Sequence, residues 1–275
     1  MSERPRFRDA ALDERYERDG YVLVPAAARE QVAALRASYR RLVRRTPKGF
    51  HSTPYSQDAT LKRAVNDDIQ RLLRPAVDAL LTDVRPLLGS FITKGRGDDG
   101  RMPPHMDWTF VEEPAATSMN FWVPLVDVGT RNGAMSVLPR GQLVPHTIRG
   151  SGTSNPFCSI EAVAEGRMVE VPMEAGDVLI HDHRLLHSSP PNRSLRPRVV
   201  AGCALVGAHT PAVHYRQGEP GVLVRHELED RFFTDYTFGD EEMPPSARPT
   251  GEVRFENPEL AEDDLPRPLH GEPVT

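Results

Sequence analysis

Cysteine is scarce in this chain. Its two residues, Cys158 and Cys203, lie far apart with no Cys-x-x-Cys spacing, which argues against a disulfide framework and a thiolate zinc site. Long apolar runs are missing as well. Nothing approaches the roughly 18 consecutive apolar residues of a membrane helix, and the first twenty residues are charged, without the apolar stretch of a secretory signal. A cytoplasmic protein with no membrane partner is expected. Net positive charge is also lacking: at −5 the chain gives no electrostatic case for nucleic acid, which is bound through basic surface. A small molecule is the expected partner, and no feature sets an oligomeric state. The remaining balance, 39% apolar and 27% charged residues over 275 positions, is that of a globular protein with one large core or two modest ones. No internal repeat is visible.

Helical periodicity dominates the first third. "REQVAALRASYRRLVRR" places Val32, Leu35, Tyr39 and Leu42 on one stripe. A second helical pair is expected from about Asp58 to Thr82, with Pro75 opening its second member. Between the first helices, "DGYVLVP" reads as a short strand. From about Leu87 the period changes. "SFITKG", "SMNFWVPLVDV", "GAMSVLP", "RMVEVP", "DVLIHD" and "PRVVAGCALVGA" are short strand-like runs separated by glycine, proline and polar turns. Strands after helices predict a β-sandwich or barrel with helices packed on its outside. Past Ala212 the pattern fades, so residues 211–275 are expected to be irregular.

Two stretches carry chemistry. In "RMPPHMDWTF", read as a strand, His105 and Asp107 project from one face and offer an imidazole and a carboxylate to the same metal. Two histidines and one carboxylate, with the other positions open, form the ligand set of non-haem iron(II) oxygenases. The further histidine would come from "IHDHRLLHSSPPNRSLRPR", which holds His181, His183 and His187. His187 and Ser189 share a strand face, and "RPRVVAGCALVGA" sets Arg198, Val200, Gly202 and Ala204 on another. An inward arginine beside small residues leaves room for a carboxylate, which a guanidinium grips with two parallel bonds.

These segments resemble the phytanoyl-CoA dioxygenase family of iron(II)/2-oxoglutarate-dependent oxygenases. "DGYVLVP" resembles the family's N-terminal motif, "HMD" its His-x-Asp, "FWVPLVDVGTRNGAMSVLPRGQ" its Trp-centred strand with Asn-Gly, and "MEAGDVLIHDHRLLHSSPPNRSLRPR" its distal-histidine segment. The likeness runs from about residue 17 to 208. It implies one domain over residues 1–275 with a double-stranded β-helix (jelly roll, cupin-like) core at about 86–210 and a helical N-terminal part at about 1–85. It also implies the cofactors Fe(II) and 2-oxoglutarate, with dioxygen as cosubstrate. In the family the distal ligand precedes the 2-oxoglutarate arginine by eleven positions, which selects His187 with Arg198 and leaves Arg196 outside. The implied metal set is therefore His105, Asp107 and His187, with Arg198, Ser189, Lys94 and Trp122 around the cosubstrate. Trp108, Phe110 and Asn120 are expected on the substrate side.

Two departures stand out: residues 140–142 read Arg-Gly-Gln where the family has Gly-Ser-His, and Met106 sits where glutamine is common. Asp107 is kept, unlike in the halogenase branch. The expected activity is hydroxylation of a small specialised or amino-acid-like metabolite, with release of succinate and carbon dioxide; desaturation and ring closure are the variants. The rival readings are a cupin-like isomerase or zinc module using His105, His181 and His183, and a non-catalytic scaffold. His181 and His183 are expected to be satisfied by neighbouring carbonyls. His51, His209 and His214 are expected at the surface.

Overall fold

A computed structural model describes residues 6–27, 29–45 and 48–267; the end of the expected C-terminal segment, 268–275, lies outside them. Three helices open the chain: α1 (Ala10–Asp19), α2 (Arg29–Leu42) and α3 (Ala59–Leu80). Asp9 and Asp58 accept hydrogen bonds from the first free amides of α1 and α3, which satisfies donors that have no partner inside the helix. The expected helical pair is one continuous helix, with Pro75 inside α3. Val65, Ile69, Leu73, Ala76 and Val77 carry one buried stripe across the proline. Packing of that stripe outweighs the roughly 3 kcal/mol that an interior proline costs.

Strands β1 (Arg6–Phe7) and β4 (Leu81–Thr82) pair with each other. The main sheet has six strands, in the order β2 (Tyr21–Pro25), β10 (Asp177–Asp182), β7 (Ser118–Pro124), β12 (Arg198–Gly207), β5 (Val84–Lys94) and β3 (Phe50–Ser52). It faces a four-stranded sheet of β6 (Met102–His105), β11 (His187–Ser189), β8 (Met135–Val137) and β9 (Val169–Val171). Two facing antiparallel sheets make the expected jelly roll. Strands 2 and 3 enter it from the part of the chain expected to be helical.

Alternation along the main sheet separates two cores. Phe91, Phe121, Val123, Ile180, Ala201 and Cys203 pack outward against the helices, while Trp122, Leu179 and Val200 turn into the barrel with Met135, Val137 and Val171. Gly89 permits the close docking of α3: a Cβ there would lie 2.9 Å from the Asn66 carbonyl oxygen.

The expectation of an irregular C-terminal segment fails. Strands β13 (Val213–Gln217), β14 (Val222–Leu228) and β15 (Ala247–Arg254) form an antiparallel sheet, and α5 (Phe232–Asp235) lies between its last two members. Phe232, Phe233 and Tyr236 are buried in a cluster with Phe110 and Val111. Those aromatics, not the sparse alternation around them, order the segment.

Candidate active site

Cross-strand pairing builds the centre of the site. His187 on β11 stands opposite His105 on β6, with ring centroids 4.2 Å apart. Strand β6 ends at His105, so Asp107 lies in the loop beyond and not on a shared strand face as expected. The loop nevertheless turns the carboxylate inward. Ligand atoms of His105, Asp107 and His187 all lie within 4.8 Å of one another, and these three form the candidate metal cluster among the described residues.

The protonation pattern suits a cation. His105 donates through Nδ1 to the Pro103 carbonyl at 2.8 Å, and His187 donates through Nδ1 to the Leu185 carbonyl at 2.9 Å. A carbonyl only accepts, so each bond leaves the Nε2 lone pair free. Burial pulls His105 down to about 4 and lowers His187, keeping both rings neutral. Burial would raise Asp107, but His187, His183, His181 and His105 around it hold it well below the usual carboxylate range. Asp107 Oδ2 is buried without a hydrogen-bond partner. Two free imidazole nitrogens and an unpaired carboxylate oxygen could hold one divalent ion.

A residue that sequence reasoning missed sets the Asp107 loop. Arg149 donates through Nε to the Asp107 carbonyl at 2.8 Å, and its other nitrogens bind Glu113 at 2.8 and 3.0 Å. The Thr109 amide donates to the Arg149 carbonyl, and the Arg149 amide donates to the Thr109 hydroxyl. Both charged side chains are almost wholly buried. Nothing in the spacing of residues 36 apart announces this clamp; a buried arginine and glutamate are recognisable only once the loops meet.

The deeper end of the barrel holds two cations. Arg198 and Lys94 are Cα partners across β12 and β5 and both are buried. Lys94 donates to the Ser189 carbonyl and hydroxyl at 2.9 and 2.6 Å and to the Pro190 carbonyl at 2.6 Å. Arg198 donates to the Gly133 carbonyl at 2.6 Å and lies over the Trp122 ring at 5.3 Å, while its Nε has no partner. Gly133 must be glycine: its φ is +85° and a Cβ would come 2.6 Å from the Pro190 carbonyl oxygen. Among the described residues, no carboxylate bonds to either cation. Burial and then the Arg198 charge push Lys94 down to about 6, and burial lowers Arg198 to about 9. An incoming carboxylate would relieve both penalties.

The expected substrate-side residues lie on a cavity of about 340 Å³ that opens onto His105 and Asp107 and is lined by Trp108, Phe110 and Asn120 among others. Trp122, Lys94, Ser189 and Arg198 sit outside it. Arg196 is exposed in the turn before β12. His181 contacts its neighbour's carbonyl, Asp182 O, at 3.1 Å, whereas His183 pairs with the Ser118 hydroxyl at 2.8 Å, not with a carbonyl. His214, expected at the surface, is fully buried beside Trp108, with its Nε2 on Ser151. His51 is half-buried on β3 and absent from the cavity lining, and His209 is exposed.

No curated protein sequence matches the chain. Solved structures of similar fold include the carbocyclase SnoK from nogalamycin biosynthesis, described as non-heme and alpha ketoglutarate dependent (TM-score 0.57, 19% identity, 88% of this chain and 96% of that one). They also include the epimerase SnoN in complex with Fe3+, alpha ketoglutarate and nogalamycin RO (0.55, 24%, 88% and 96%). A third is AviO1 from Streptomyces viridochromogenes Tue57 (0.53, 24%, 74% and 96%). At these identities the likeness is one of fold. The phytanoyl-CoA dioxygenase family model matches residues 16–200, a span that takes in both strands of the histidine pair, the Asp107 loop and Arg198. The chain belongs to the phytanoyl-CoA dioxygenase family.

Proposed function

We propose that the chain is a single-domain iron(II)- and 2-oxoglutarate-dependent oxygenase acting on a small molecule, with hydroxylation as its default outcome. The observation that carries this reading is the conjunction of three unpaired metal donors with a pair of buried cations lacking a carboxylate. His105, Asp107 and His187 would hold the iron, and Arg198, with Lys94, Ser189 and Trp122 around it, the far carboxylate of 2-oxoglutarate. When bound, iron and 2-oxoglutarate together supply dioxygen-dependent oxidation of a C–H bond, with release of succinate and carbon dioxide.

The chain's own residues supply position and shelter. Backbone carbonyls of Pro103 and Leu185 orient the two imidazoles, and Arg149 fixes the loop that carries Asp107. Trp122 and Val200 pack the barrel between the two ends and keep water from the cation pair. Trp108, Phe110 and Asn120 would face the substrate. Neighbours described as an epimerase and a carbocyclase keep stereoinversion and ring closure as variants of the outcome. A cupin-like isomerase using His105, His181 and His183 has less support, because it gives no role to Asp107 or to the buried cations.

Anaerobic addition of iron(II) and then 2-oxoglutarate should produce the weak visible charge-transfer band of the chelate. Absence of the band, with metal bound, would remove the 2-oxoglutarate part of the reading.

A further inference from the structure

The floor of the cavity lies where three strands meet in register. Gly202 on β12 pairs with Ser90 on β5 and with Trp122 on β7, and Ala204 pairs with Asn120. A methyl placed on Gly202 would lie 3.4 Å from Ile92 Cδ1, 3.5 Å from Ser90 Oγ and 3.6 Å from Asn120 Oδ1. The space above Gly202 is thus methyl-sized and bounded by a hydroxyl and a carboxamide oxygen. Among the described residues, no hydrogen bond joins either side chain to another protein group. Ser90 and Asn120 are therefore free to serve a ligand.

The mouth differs in chemistry. Trp108 stacks on Phe238 at 4.0 Å and 24°, and Tyr55 meets Phe238 edge-on at 5.4 Å. His214 backs Trp108 at 4.8 Å, held by Ser151, whose hydroxyl also binds the Tyr236 phenol at 2.7 Å. A platform braced in this way offers flat apolar area.

Charge is the third feature. His105 and Asp107 belong to the metal cluster, Arg149 is closed on Glu113, and His183 is tied to Ser118. Among the described residues, no lysine and no other arginine, aspartate or glutamate lines the cavity. A charged group buried there would lose hydration without gaining a partner, a cost well above that of burying a hydroxyl that finds Ser90 or Asn120.

We infer that this cavity selects an uncharged, hydroxyl-bearing small molecule with a flat ring, its hydroxyl seated over Gly202 between Ser90 and Asn120 and its ring against Trp108. The inference rests on the proposed function for the claim that the occupant is the substrate. It narrows that reading against amino acids and acyl-CoA thioesters, whose charges the lining does not answer.

Three probes that differ at one carbon test it: phenyl β-D-glucoside, phenyl β-D-glucuronide, and the 6-amino-6-deoxy analogue of the glucoside. Each is titrated calorimetrically into the protein, alone and with iron(II) and 2-oxoglutarate under nitrogen. The glucoside should bind, and both charged partners should bind at least about tenfold more weakly. Gly202→Ala, which introduces only ordinary van der Waals contacts, and Asn120→Ser should each weaken the glucoside by about tenfold or more while melting like the parent. Equal or tighter binding of a charged probe, no binding of the glucoside, or an unchanged affinity in Gly202→Ala would overturn the inference. A separate titration with iron(II) and 2-oxoglutarate, without any probe, keeps the two readings apart, since failure of 2-oxoglutarate to bind the iron-loaded protein removes the cofactor assignment and leaves the probe comparison standing.

Discussion

The two ends of the barrel are built by opposite means. The cation end uses residues on regular strands: Lys94 and Arg198 face each other in register, with Trp122 beneath the guanidinium. The mouth draws Tyr55, Trp108, Arg149 and Phe238 from loops and short helical turns far apart in the chain. Four residues of strand, roughly 13 Å at about 3.3 Å each, separate Lys94 from Ser90 on the same face. Strand geometry sets positions that change little, which suits a cosubstrate shared across a family. Loops vary freely and suit a substrate particular to one member.

The largest effect is expected at the junction of the two ends. His187→Ala should abolish stoichiometric iron binding in a metal-content measurement, whereas His181→Ala and His183→Ala should retain it. Iron retained by the His187 variant and lost from the other two would transfer the centre to the isomerase arrangement.

Next comes the clamp at the mouth. Arg149→Met leaves Glu113 buried and unpaired, and breaking one member of such a pair costs about 3–5 kcal/mol. A marked drop in melting temperature is expected, with the double variant Arg149→Met/Glu113→Leu recovering part of it. A single variant as stable as the parent would show that the clamp does not hold the Asp107 loop.

At the other end, Arg198→Ala should weaken 2-oxoglutarate by roughly 30-fold or more, on a cost of about 2–5 kcal/mol for truncating a buried charge pair. Iron affinity should barely change. Arg196→Ala, at an exposed position, is the control and should titrate like the parent. Sensitivity at Arg196 instead would mean that the β12 register is wrong.

The smallest effect sharpens the account of the cation pair. Burial and then the neighbouring Arg198 charge lower Lys94 to about 6 before a carboxylate arrives, so a carboxylate that pairs with the ammonium raises that pKa and draws a proton onto whatever fraction of the amine is neutral. Its pKa rises on binding, so affinity is full below about pH 6 and declines as pH rises above it, by up to about tenfold per unit until the bound-state pKa is reached. Calorimetry in buffers of different ionisation enthalpy should register uptake of up to one proton. No proton uptake at pH 7.5 would indicate that Lys94 is already charged.

The difference between the ends also explains what could be read in advance. Period-two alternation placed Arg198, Gly202 and Ala204 on the inner face of one strand, and the structure has them so. The same rule brings His105 and Asp107 together on one strand face, whereas in the structure the strand stops at His105 and the loop held by Arg149 carries Asp107 to it. Local preference opposes an interior proline and so points to a helix start at Pro75; the buried stripe of α3 outweighs it. The aromatics of 232–238 carry no period, and their burial anchors the C-terminal segment beside its three-stranded sheet.

What the sequence determined by itself was the kind of fold, through its change of hydrophobic period, and the residue types and spacing of a His-x-Asp and distant histidine with an arginine eleven positions on. These are local properties, written in near neighbours and in the alternation of a strand. Only the tertiary structure decided which polar atoms remain without partners: the free Nε2 atoms, Asp107 Oδ2, Arg198 Nε, and the hydroxyl and carboxamide above Gly202. Whether a polar group is satisfied depends on every segment that packs against it, and that sum exists only once the chain has closed on itself.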